Sequence, residues 1–266
     1  MIKLGLPLFI NEAILFGFTL ALGIYTAHYG SFYSANLYDT EAIKFTPADF
    51  AVLLIFLCAF FIISRHKKTA HFSFKILLVL VVFSGTQTVL GVFMPSPFNL
   101  VFAAVFTFIF SRGRNVLIHD LGVVFGIGGV AAVFGLSISA GFGLILLVVL
   151  SVYDIVAVYV TRHMVTMAKS MVESGAIFGF LVPLRLGGFL HGKNQAQAGI
   201  GENFMILGSG DIGLPLIFVA SLVKVSLVSA IVVGIFSLAG LFLTQILFIN
   251  QEKRRIKRPS LRWFSI

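Results

Sequence analysis

Charge is what this chain has least of: 11% of its residues are charged and 59% are hydrophobic, whereas an ordinary soluble domain carries roughly 25% charged residues. With a mean hydropathy of +1.05, that scarcity excludes a soluble globular protein and indicates one built to stand in a bilayer. Cysteine is nearly absent. The single Cys58 lies inside an apolar run, so it can form no intrachain disulfide and no cysteine metal cluster, and it reads as a packing residue. The sequence also lacks a His-Glu-x-x-His zinc motif. Acidic residues are outnumbered 10 to 19 by Lys and Arg, but a nucleic-acid binder needs its positive charge on one accessible face. Here the basic residues lie between apolar runs, so no nucleic-acid partner is expected.

What is present is a series of long apolar runs, at roughly 6–29, 49–64, 75–94, 97–111, 115–135, 140–161, 204–222 and 225–249. A bilayer-spanning helix needs about 20 residues, so the second and fourth are short and need flanking residues or local thinning. The runs are continuous rather than alternating, which excludes a barrel. The expectation is an all-α polytopic membrane protein of about eight transmembrane helices. The first run carries Asn11 and Glu12 and no evident cleavage site, so it reads as a span rather than a signal peptide.

With the amino terminus in the cytoplasm, 17 of the 19 Lys and Arg fall on the inner side and only Lys44 and Lys224 on the outer side. That asymmetry follows the positive-inside rule and accounts for the basic pI. The expected divisions are a six-helix membrane region, 1–161; a cytoplasmic connecting loop, 162–203; helices seven and eight, 204–250; and a basic cytoplasmic tail, 251–266. Within the loop, the apolar piece 176–183 is too short to span and reads as interfacial or re-entrant. The Gly-, Asn- and Gln-rich stretch 187–202 reads as mobile.

Most of the ten acids sit in loops or at span edges, Asp120 among them, and Glu12 is close enough to the start of its span to snorkel. Asp154 and Asp211 are deep. Asp154 lies eight residues before Arg162 and Asp211 nine residues after Glu202. At 1.5 Å per residue both carboxyls then lie about 12–14 Å below the inner surface, on consecutive antiparallel helices. An ionisable group at that depth is a functional candidate by default, and no span offers a Lys or Arg near mid-depth to pair with it.

Two like carboxyls in one site cannot both ionise cheaply, so they share a proton. Such a pair can activate a water with one carboxylate and polarise a peptide carbonyl with the other. Gly208 and Gly210 permit close backbone approach, and Pro215 removes the amide that would bond the Asp211 carbonyl. Paired membrane carboxylates also suit a cation or proton transporter, although no inverted repeat is evident.

The motifs Tyr153-Asp154 and Gly208-Ser209-Gly210-Asp211, in the sixth and seventh runs, resemble the signatures of the presenilin and signal peptide peptidase group of intramembrane aspartyl proteases, and of its archaeal presenilin-like branch in particular. The resemblance covers residues 1–250 in span order. It implies a presenilin-like bundle in a cell membrane, a catalytic dyad of Asp154 and Asp211 with Tyr153 beside it, no metal or other cofactor, and transmembrane peptide or protein segments as substrates. That group has a ninth span opening with Pro-Ala-Leu. Here Pro259-Ser260-Leu261 stands in that position and no apolar run follows. By the resemblance, Pro259 and Leu261 would lie near substrate and activity would be impaired, leaving an inactive membrane-binding homologue as a further alternative.

Overall fold

The computed structural model describes residues 6–37, 67–159, 177–200 and 203–256. Eight α-helices and one two-stranded ladder make up this part of the chain. They are α1 (Leu6–Leu37), α2 (Lys67–Phe93), α3 (Phe98–Arg112), α4 (Val116–Ser137), α5 (Ala140–Tyr159), β1 (Gly179–Pro183), α6 (Lys193–Ala198), β2 (Phe204–Gly208), α7 (Ser209–Val223) and α8 (Leu227–Ile256). Four helices are long and apolar enough to cross a membrane, over Pro7–Ser31, Phe72–Phe93, Val116–Ser137 and Leu227–Ile246. Shorter apolar helices cover Phe98–Arg112, Ala140–Tyr153 and Ser209–Val223. The polytopic helical reading holds. The expected second span, 49–64, lies outside the described residues.

α4 and α7 form the centre. Within a bilayer, helices gain from close van der Waals approach, which small residues allow, and α4 carries Gly122, Gly126, Gly128, Gly129 and Gly135, all buried. A Cβ on Gly135 would strike Ala220 and the Ile217 carbonyl of α7, and one on Gly129 would strike the Gly85 backbone of α2. These contacts fix two helix crossings. α1 adds a buried stripe of Leu8, Asn11, Glu12, Phe16, Leu20 and Ala27, the three- and four-residue spacing of one helix face. Leu8, Phe16 and Leu20 join Val124, Leu207, Ile212 and Leu216 in the main apolar cluster.

The seventh run does not cross as one helix. Its first five residues are the strand β2, which pairs antiparallel with β1 from Gly179↔Gly208 to Pro183↔Phe204. Every residue of β1 is buried, so the stretch expected to be interfacial or re-entrant contributes a strand inside the protein. Non-helical backbone is tolerated at membrane depth only where its polar groups are satisfied, and each strand satisfies one edge of the other. The stretch expected to be mobile forms a 3₁₀ turn, Leu186–Leu190, followed by α6.

Candidate active site

Asp211 lies in the first turn of α7. Gly208 is the N-cap, with φ −62° and ψ 141°, so the chain changes from strand to helix three residues before the carboxylate. A Cβ at Gly208 would sit 3.1 Å from Asp211 Oδ2, whereas one at Gly210 would meet nothing within 4 Å. The first glycine therefore leaves room for the carboxylate, and the second leaves open space beside it. The N-terminal amides of α7 face the same region and suit a negative group. Four residues on, Pro215 stands inside the helix and offers no N–H to the Asp211 carbonyl.

The depth expected for Asp211 assumed helix all the way from Glu202, and the strand overturns that premise. Height can be taken from the other end of the helix. There Lys224, just past α7, donates its ammonium to the Leu136 and Ile138 carbonyls at the α4–α5 junction, the latter at 3.1 Å. Partial burial lowers the Lys224 pKa from its ordinary value. This clasp levels α5 with α7, and Gly143 of α5 lies against Phe218 and Ser221. The clasped end holds Ala140 at the start of α5 and Val223 at the end of α7. At 1.5 Å per residue, the descent is about 21 Å from Ala140 to Asp154 and about 18 Å from Val223 back to Asp211. The two backbones reach nearly one height on adjacent antiparallel helices. The Asp154 side chain, like Pro259 and Leu261, lies outside the described residues. Tyr153 is 59% exposed on the outer face of α5, and Ser209 and Gly210 are at the helix start beside Asp211.

The hairpin that delivers Asp211 is held along its outer edge. The Asn11 amide donates to the Pro183 carbonyl at 2.8 Å. His119 Nε2 bonds the Gly179 carbonyl at 3.1 Å, and the Leu181 N–H donates to Asp120 Oδ1 at 2.8 Å. Asp120 is thus a buried clamp on β1 rather than a solvated span edge. Lys193 lies close enough to interact with Asp120, and its pKa is lowered to about 8, chiefly by burial and then by Lys75, with Asp120 opposing.

Glu12 also departs from expectation. It is 3% exposed and does not snorkel; Gln245 of α8, 6% exposed, donates to its Oε2. Asp211 is near enough for the two carboxyls to interact electrostatically. In the sequence, the signal for this site was Glu12 within the first apolar run and Gln245 within the last. Among the described residues no group of three or more His, Cys, Asp and Glu is arranged to hold a metal ion.

A family model described as signal-peptide peptidase, presenilin aspartyl protease matches residues 19–255. Among solved structures, the chain is similar to one described as a presenilin family intramembrane aspartate protease in C222 space group. The identity is 20% and the TM-score 0.48, over 80% of this chain and 75% of that one. No curated protein matches.

Proposed function

Because the chain belongs to the signal-peptide peptidase, presenilin aspartyl protease family, and is thus an intramembrane aspartyl protease, we propose that Asp154 and Asp211 form its catalytic dyad. The observation that carries this reading is the common height of the two residues on neighbouring antiparallel helices, levelled by the Lys224 clasp. One carboxylate takes a proton from water as the oxygen attacks a peptide carbonyl. The protonated partner polarises that carbonyl and then protonates the leaving nitrogen. The pair acts as one titrating unit, so the two roles belong to the dyad rather than to either residue.

Substrates are transmembrane segments of peptides or proteins, and the site is reached from a cell membrane in which the amino terminus faces the cytoplasm. A helical substrate hides its peptide groups, so it must become extended to be cut. β2 supplies a template for that. Leu181 turns its N–H away from β2 towards Asp120, so in the antiparallel register the Ile206 peptide groups face away from β1. Ile206 is two residues before Gly208, and an added strand there would run beside the dyad.

The test is cleavage of a single-span peptide by the full chain in liposomes. Asp154→Asn and Asp211→Asn each lower the rate by about 10²–10⁴-fold, the size of a general acid–base contribution. Retained cleavage in either variant contradicts the dyad. Ion flux driven by a pH gradient, lost in the same variants while wild type cleaves nothing, would make the chain a transporter.

A further inference from the structure

We propose that Glu12 is a positioning residue of the active site, a third carboxyl whose negative charge keeps the shared proton on the aspartates. This deepens the proposed function and rests on Asp211 being catalytic. Glu12 stands on the buried stripe of α1, one residue after the Asn11 that holds the end of β1. It therefore sits on an element that packs against both the hairpin and α7: Leu8 and Phe16, one turn either side of it, share a cluster with Leu207 and Ile212, which flank Asp211. Gln245 of α8 holds one of its oxygens as an acceptor.

A carboxyl buried against a partner 233 residues away in the chain carries a desolvation cost. Packing alone does not call for it, because a leucine would fill the stripe as its neighbours Leu8, Phe16 and Leu20 do. The charge has an effect only where another titrating group can feel it. Few can. β1 and β2 contain no ionisable side chain, and α7 contains only Asp211. α5 brings Tyr153, Asp154 and Tyr159, and α4 brings His119 and Asp120, which are committed to β1. α2 brings Lys67, Lys68, His71 and Lys75 over its first turns, and α8 brings Glu252, Lys253, Arg254 and Arg255 in its last turns, beyond Gln245. His28 lies about 24 Å up α1 from Glu12.

With Glu12 negative, removing the last proton from the dyad would leave three like charges together in a region of low dielectric. The proton is held more firmly, and the form with one acid and one base persists to higher pH. Activity therefore falls at a higher pH than it would without Glu12.

The experiment is the pH dependence of kcat/KM for the full chain in phosphatidylcholine liposomes with the single-span peptide. In Glu12→Gln, which keeps the size and can keep the Gln245 contact, the alkaline limb moves to lower pH by about half a unit or more. Glu12→Asp, which keeps the charge, moves it back towards wild type. Gln245→Met removes the donor and makes Glu12 easier to protonate, so it shifts the limb in the same direction by less. That variant decides the matter if Glu12→Gln does not fold. A limb that stays in place in folded Glu12→Gln, or in Gln245→Met where the first does not fold, overturns the proposal, because loss of a merely structural contact lowers the whole profile without displacing it. The Asp211→Asn variant separates the two ideas. If it is inactive and the limb is unmoved, Glu12 alone is misassigned; if it still cleaves, the dyad falls and Glu12 has nothing to act through.

Discussion

α7 lies in the middle of the bundle and α5 on its outside, although each carries one of the proposed catalytic aspartates. α7 buries Ile212, Leu216, Val219, Ala220, Ser221 and Val223 against α1, α4 and α8. Along α5, from Ala140 to Tyr153, only Gly143 is buried, and Leu144, Ile145, Val148, Val149 and Val152 are at least half exposed. One half of the site is thus locked in place by packing, while the other rests on lipid. The fixed half also has the hairpin clamp, so Asp211 is positioned from both ends of its segment, by β1 below and by the Lys224 clasp above.

The largest effect that sharpens this contrast is loss of turnover in both aspartate variants, since chemistry needs each half equally. Next is stability. Leu216→Ala leaves a cavity among Gly23, Ile212 and Phe16 of the central cluster and costs about 2–5 kcal/mol. Val148→Ala, 54% exposed on α5, trims a lipid-facing methyl pair and stays within about 0.5 kcal/mol. Thermal unfolding in detergent micelles reads both, and equal losses would erase the distinction between a fixed and a peripheral half.

The smallest effect concerns the clamp. The Lys193 pKa falls from 10.5 to about 8 on folding, so between those values the unfolded chain holds a proton that the folded chain has released. Stability therefore rises with pH from about 8 to 10.5, and the full cost of the buried ammonium is present below about 8. Lys193→Met removes that rise, which a melting series across the window would register. A rise of the same size in the variant would mean that Lys193 is not its source.

Much of the fold was legible because apolar runs long enough to cross a bilayer admit few structures in lipid. Glycine-bearing α4 and the span ends near Arg112 and Val223 follow from the sequence to within a few residues. The strand was not legible. Phe204 to Leu207 is a short apolar run that periodicity cannot assign to helix or strand, and its partner begins far upstream, at Gly179. Glu12 and Asp120 were misread for a related reason. Position near the end of a run suggests solvent, but what buries each is a tertiary partner, Gln245 for one and the Leu181 amide for the other. The motif residues at 208–211 stand out in the sequence as a candidate site, while the reason for the first glycine, its proximity to Asp211 Oδ2, required coordinates.

A pair of cysteines reports whether Asp154 and Asp211 meet at one height on neighbouring helices. In a Cys58→Ser background, Asp154→Cys with Asp211→Cys is compared with Leu147→Cys with Asp211→Cys, using a short thiol cross-linker in liposomes. Leu147 lies two turns back along α5, about 10 Å higher on a similar face. A common height gives a cross-link for the 154–211 pair and none for 147–211; a link at 147–211 with none at 154–211 would mean that the two aspartates do not face each other.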